Sequence, residues 1–136
     1  MSEKIHARVT ETGQSLYSVA IDSHGHGLVA DEGIDFGGGN LGQAPYDLLL
    51  SALGACTAMT VRWYAKQQDW PLDHVSVVLT HEKVVHQDVF TKTITLRGDL
   101  LTPEQRAKLL DVADKCPVQR TLTLNNTQIT TIADPG

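Results

Sequence analysis

Residues 48–61, LLLSALGACTAMTV, carry no charged side chain. No other feature of the chain restricts its fold as strongly. The run lies within residues 45–68, which read as one helix. Pro45 suits a first helical position, where its missing N–H costs nothing. Asp47 falls in the first turn, where a carboxylate meets the positive end of the helix dipole. Apolar residues occupy nearly every face, so the helix is expected to be buried on most sides. At roughly 14 uncharged residues the run is short of a bilayer span and matches a core helix. Gly54 sits mid-helix, where it costs about 0.5–1 kcal/mol relative to Ala. A close packing neighbour would justify it.

The chain has 136 residues, which fits one domain, residues 1–136, with a core of its own. Eleven basic against 16 acidic side chains leave a net charge of −5, which argues against a nucleic-acid partner, since phosphate binding needs clustered Lys and Arg. The opening residues Met1-Ser2-Glu3-Lys4-Ile5 show no apolar signal-peptide core. Two cysteines are too few for a zinc finger or a secreted disulfide scaffold. The expectation is a cytoplasmic protein, not held in a membrane, with reduced thiols.

Short alternating runs precede the helix. Ile5, Ala7 and Val9 suggest one strand, Tyr17, Val19 and Ile21 a second, and residues 26–31 a third. Gly13 reads as a turn, and the glycine-rich residues 33–42 as a loop. After the helix, Val75, Val77 and Leu79 alternate with polar or outward partners. Residues 89–96 repeat the pattern, so the two runs suggest a hairpin. Thr102-Pro103-Glu104-Gln105 is a capping box opening a second helix, ending near Lys115. Cys116-Pro117 breaks the chain and can start a short helix. Asn125-Asn126 reads as a turn and residues 128–133 as a last strand. The layout is βββ–α–ββ–α–β, an α+β domain.

The two cysteines are the candidate reactive groups. Cys56 shares a helical face with Leu49, Leu53, Thr60 and Trp63 and reads first as a core cysteine; a mid-helix position draws little help from the dipole. Cys116 precedes Pro117, so it can cap a new helix, with Lys115 and Arg120 near in sequence to lower its pKa. The alternative is a surface or half-buried cysteine at a helix break. His24 and His26 read as loop residues, or with a cysteine as metal ligands. The glycine loop lacks both the GK[ST] of a phosphate loop and GxGxxG spacing.

Residues 45–65, PYDLLLSALGACTAMTVRWYA, resemble the central-helix motif of the OsmC/Ohr family, the osmotically induced and organic-hydroperoxide-resistance proteins. DKCPVQRTL is similar to that family's second cysteine motif, CPVHRTL. GGGNLGQAP resembles its lead-in loop, and WPLDHVSVVLTHEK its following strand. The resemblance covers residues 26–132. It implies an α+β OsmC-like fold whose two chains intertwine as a homodimer, central helices inside and sheets outside, with active sites at the interface. An uncharged helix is easier to bury in such a dimer than in a small monomer.

The resemblance also implies a thiol peroxidase acting on organic (lipid) hydroperoxides. Cys56 would attack the O–O bond and become a sulfenic acid. Cys116 would condense with it to a disulfide, and an external dithiol, a lipoyl group or a similar reductant, would restore both. No bound cofactor or metal is implied. Family members stabilise the thiolate with an N-terminal arginine held by a glutamate, whose position is occupied here by Asp47. Residues 9–61 contain neither Arg nor Lys, and Gln119 replaces the motif histidine. Without that arginine the thiolate pKa would be higher and attack slower. A second reading follows: a non-enzymatic binding protein on the same fold, with a ligand pocket at the dimer interface.

Overall fold

A computed structural model of the protein describes residues 4–135. The expectations on Met1, Ser2 and Glu3 lie outside them. The chain forms two compact units, Met1–Ser51 and Ala52–Gly136.

In the first unit, β1 (Arg8–Glu11), β2 (Val19–Ser23) and β3 (His26–Ala30) form an antiparallel sheet in that order. Ser23 pairs with His26, so His24 and Gly25 are the whole β2–β3 turn. Both have positive φ, 54° and 79°, the backbone of a two-residue turn that matches strand twist. The glycine loop is built around Asp31. Its carboxylate is buried and accepts hydrogen bonds from Ser15 Oγ at 2.9 Å and from the N–H groups of Glu32, Gly39 and Leu41 at 2.8, 3.0 and 3.2 Å. Burial alone raises the Asp31 pKa; these four donors reverse that and hold it below its usual value. A Cβ on Gly38 would stand 2.1 Å from Glu32 O, so the loop's glycines permit close backbone approach.

The helix α1 (Pro45–Gln67) starts in the first unit and carries into the second. Then come β4 (His74–Val84), β5 (Gln87–Arg97), α2 (Pro103–Ala113) and α3 (Pro117–Thr123). β4 and β5 form the expected hairpin, paired from His74–Arg97 to Val84–Gln87. The capping box at Thr102 is complete: its hydroxyl accepts from Gln105 N at 3.1 Å, and Gln105 Oε1 accepts from Thr102 N at 3.0 Å. Val61, Ala65, Leu72, Leu101, Leu109 and Ala113 form the core, with Val75, Ile94 and Leu96 of the hairpin packed against it. Arg106 ties α2 to the end of β5 by donating to Leu96 O and Gly98 O at 2.8 and 2.6 Å.

Two expectations are corrected. The first concerns α1. Its buried residues, Leu53, Gly54, Thr57, Val61 and Ala65, make a single stripe, while Met59 and Trp63 are 70% and 60% exposed. The hairpin and α2 cover one face only, so burial on most sides does not occur within one chain. At 23 residues α1 is also long and apolar enough, by length and composition, to cross a membrane; its stripe packs on protein. The second concerns residues 128–133, which form no strand. Strand-like alternation becomes a strand only against a partner edge, and Ile129 and Ile132 stay 87% and 84% exposed.

Candidate active site

Gly54 admits the hairpin onto α1. A Cβ there would lie 2.6 Å from Leu79 Cδ1. The close packing expected for this glycine is present, and it seats β4–β5 directly over the cysteine-bearing stretch of the helix.

Cys116 is the N-cap of α3, with extended φ/ψ of −67° and 141°. Pro117 fixes the first helical position, so the CP pair ends one segment and begins the next. The sulphur is fully buried. It accepts from Gln119 N at 3.4 Å and faces the Thr57 hydroxyl at 3.7 Å. The Cys56 side chain is a close neighbour that helps lower its pKa. Both cysteines are free, and Cys56 is half-buried. The structure thus brings together the two thiols that lie 60 residues apart (116 − 56).

Behind Thr57 stands a cation. Lys92 Nζ donates to Thr57 Oγ1 at 3.0 Å and to Ala113 O at 2.9 Å, with Asp114 Oδ1 at 3.9 Å. Only 9% of the Lys92 side chain is exposed. Burial pushes the Cys116 thiol up. Hydrogen bonds from Gln119 and Thr57, the neighbouring Cys56 thiol and the Lys92 charge outweigh it, and the pKa falls below the ordinary 9.0. The cation acting on this thiol is Lys92 rather than Lys115 or Arg120, the ones suggested by sequence; Lys115 pairs with Asp111 at 3.1 Å. Lys92 was missed. Its signal is in the strand: Phe90, Lys92, Ile94 and Leu96 alternate on the covered face of β5, and a lysine on an apolar face needs a buried partner.

Asp47 accepts from Ala44 N at 3.1 Å and closes the first turn of α1. Gln119 donates from Nε2 to Asp114 Oδ1 at 3.3 Å, and its Oε1 is buried without a partner among the described residues. His24 lies in the β2–β3 turn and His26 opens β3. Among the described residues no three His, Cys, Asp or Glu side chains are placed to hold a metal ion.

Two open recesses flank the thiol pair. One, about 560 Å³, is lined by Cys56, Met59, Thr60, Trp63, Lys115 and Pro117. The other, about 520 Å³, runs between β5 and the helices α2 and α3 and has Leu53, Phe90, Lys92, Leu110 and Gln119 among its lining residues.

The sequence pattern described as OsmC-like protein matches residues 37–132. The chain belongs to the OsmC-like protein family. Solved structures of similar fold include an OsmC-like protein from Mycoplasma pneumoniae, 18% identical, covering 90% of this chain and 89% of that one with a TM-score of 0.75. An osmotic stress induced and detoxification response protein from Psychrobacter arcticus 273-4 is 17% identical, with coverage of 89% and 90% and a TM-score of 0.73. An organic hydroperoxide resistance protein, OsmC, from Legionella pneumophila is 17% identical, with coverage of 92% and 93% and a TM-score of 0.63. At these identities the likeness is one of fold. Among curated proteins none matches the chain by sequence. The OsmC-like match spans both cysteine motifs and the hairpin that carries Lys92.

Proposed function

We propose that this OsmC-like protein reduces organic hydroperoxides through a Cys56–Cys116 dithiol/disulfide cycle. The observation that carries this reading is the meeting of two free thiols: Thr57, the residue after Cys56 on α1, hydrogen-bonds to the Cys116 sulphur at 3.7 Å. Cys56 opens on a recess whose walls include Met59 and Trp63, which suits the apolar body of an organic peroxide. Cys56 sulphur attacks the O–O bond, an alcohol leaves, and Cys56 becomes a sulfenic acid. Cys116 sulphur then displaces water to form the disulfide. Two thiols and ROOH become a disulfide, ROH and water. An external dithiol, of the lipoyl kind, restores the pair by exchange, and no bound cofactor takes part.

The reading includes a homodimer and a cytoplasmic setting. The exposed Met59 and Trp63 on α1 and Ile129 and Ile132 in the C-terminal segment support association with a second copy. Asp47, which closes the first turn of α1, serves the site by fixing the start of the cysteine helix.

The deciding experiment is a free-thiol count on reduced protein before and after one equivalent of cumene hydroperoxide. Loss of both thiols, with alcohol formed and recovery in dithiothreitol, is the expected result. Two thiols surviving would overturn the cycle. The absence of Arg and Lys from residues 9–61 favours the second reading, a binding protein with a pocket at the dimer interface. A small molecule retained in native mass spectra of protein from cells, together with surviving thiols, is its signature.

A further inference from the structure

We infer that Lys92, acting through the Thr57 hydroxyl, holds the negative charge of a thiolate at Cys116. Lys92 is a positioning residue in this scheme.

The argument begins with one proton. Thr57 Oγ1 accepts from Lys92 Nζ at 3.0 Å, so its lone hydrogen must point elsewhere. Two acceptors compete for it: Leu53 O at 2.8 Å and Cys116 Sγ at 3.7 Å. A hydroxyl cannot serve both fully. With a neutral thiol at 116, the carbonyl is the better acceptor. With a thiolate there, the hydroxyl gains by turning to the charge, and the ammonium behind it polarises the bond. Thr57 is fully buried, so water does not replace this hydrogen bond.

The donors around the sulphur point the same way. Gln119 N–H at 3.4 Å and Thr57 O–H at 3.7 Å both face the Cys116 sulphur. Converging donors stabilise a thiolate far more than a thiol, whose sulphur is only a weak acceptor. The charged and titratable groups near this place are Lys92 of β5, Cys56 of α1, Asp114 between α2 and α3, and Lys115, which shares a recess with Cys56 and is paired with Asp111. Asp114 is 71% exposed and 3.9 Å from Lys92 Nζ, so it tempers the cation without neutralising it. The remaining neighbours, Thr57 and Gln119, are uncharged. Residues 9–61 supply no Lys or Arg for the task.

The charge placement stands by itself. Its catalytic consequence rests on the proposed function. As Cys56 sulphur attacks the peroxide, its proton passes to the Cys116 thiolate. The O–O bond breaks and the leaving alkoxide recovers that proton as ROH. The regenerated Cys116 thiolate attacks the Cys56 sulfenic sulphur, the S–S bond forms and hydroxide leaves. One thiol, one thiolate and ROOH thus become a disulfide, ROH and OH⁻.

The test uses Cys56→Ser protein, which is silent as a peroxidase and keeps a hydroxyl donor beside Cys116. The ultraviolet absorbance of the thiolate, followed against pH, reads Cys116 without requiring access to the buried sulphur. Adding Lys92→Met or Thr57→Val is expected to raise the Cys116 pKa by about one unit or more, and Lys92→Arg to keep it low. Either of the first two titrating like its parent overturns the inference, as does Lys92→Arg rising as far as Lys92→Met. Thr57→Val, nearly isosteric, keeps the test open if Lys92→Met does not fold. None of these readings depends on peroxide turnover, so the charge placement and the proposed function can fail separately.

Discussion

The hydroxyl of Thr57 lies 3.7 Å from the sulphur of Cys116, fifty-nine residues away in the chain. It links the cysteine helix to the α2–α3 break and connects a buried ammonium to a buried thiol. Cys56 and Thr57 of α1, Lys92 of β5, and Cys116 and Gln119 of α3 meet there, and their arrangement bears on the chemistry and the stability of the second unit.

Oxidised protein should carry an intramolecular Cys56–Cys116 disulfide. Closing a loop of 60 residues (116 − 56) limits the unfolded chain, and loop entropy gives an upper estimate of about 4 kcal/mol. Urea denaturation of oxidised against reduced protein measures it. Disulfide-linked dimers on a non-reducing gel would contradict this pairing.

Gly54→Ala should destabilise the protein although alanine is the better helix former. The helix gains about 1 kcal/mol, while pressing a methyl against Leu79, whose Cδ1 would be 2.6 Å from it, costs about 1–3 kcal/mol. In a Leu79→Ala background the penalty should vanish and the alanine should stabilise. Additive effects in that double-mutant cycle would show that no contact links the two.

Thr102→Ala should cost about 1 kcal/mol, because it removes one side of a complete capping box. Chemical denaturation reads the loss directly. Thr102→Ser should recover most of it.

The loop around Asp31 should give way in acid. Its folded pKa lies below the ordinary 3.8, so its contribution is fully present above that value. It is lost as pH falls from 3.8 through the lowered folded value. Wild-type protein should therefore lose stability over that window, and Asp31→Asn should show a flatter acid limb. Equal slopes in the two proteins would exclude the carboxylate as the cause.

Val85→Asn should stabilise the hairpin. Val85 and His86 are the two-residue turn between β4 and β5, with φ of 46° and 65°. A β-branched residue is strained there, whereas asparagine tolerates it; the gain is on the order of 1 kcal/mol. Thermal unfolding of the variant checks the sign.

The sequence by itself determined most elements, because their causes are local. Pro45 with the uncharged run specified α1, alternation specified the β4–β5 hairpin, Thr102 to Gln105 specified the start of α2, and Cys116-Pro117 the start of α3. It also marked both cysteines through motifs that run with the chain. Tertiary structure decided what depends on distant partners. Residues 128–133 alternate like a strand, yet a strand exists only where another edge accepts its hydrogen bonds. The exposed face of α1 follows from how much one hairpin and one helix can cover. Lys92 is the clearest case: nothing near Cys116 in the chain points to it, and only the packing of β5 over α1 sets its ammonium on Thr57. A thiol's charge depends on donors gathered in space: Gln119 N–H is local to α3, but Thr57 and Lys92 reach Cys116 only when α1 and β5 close on it.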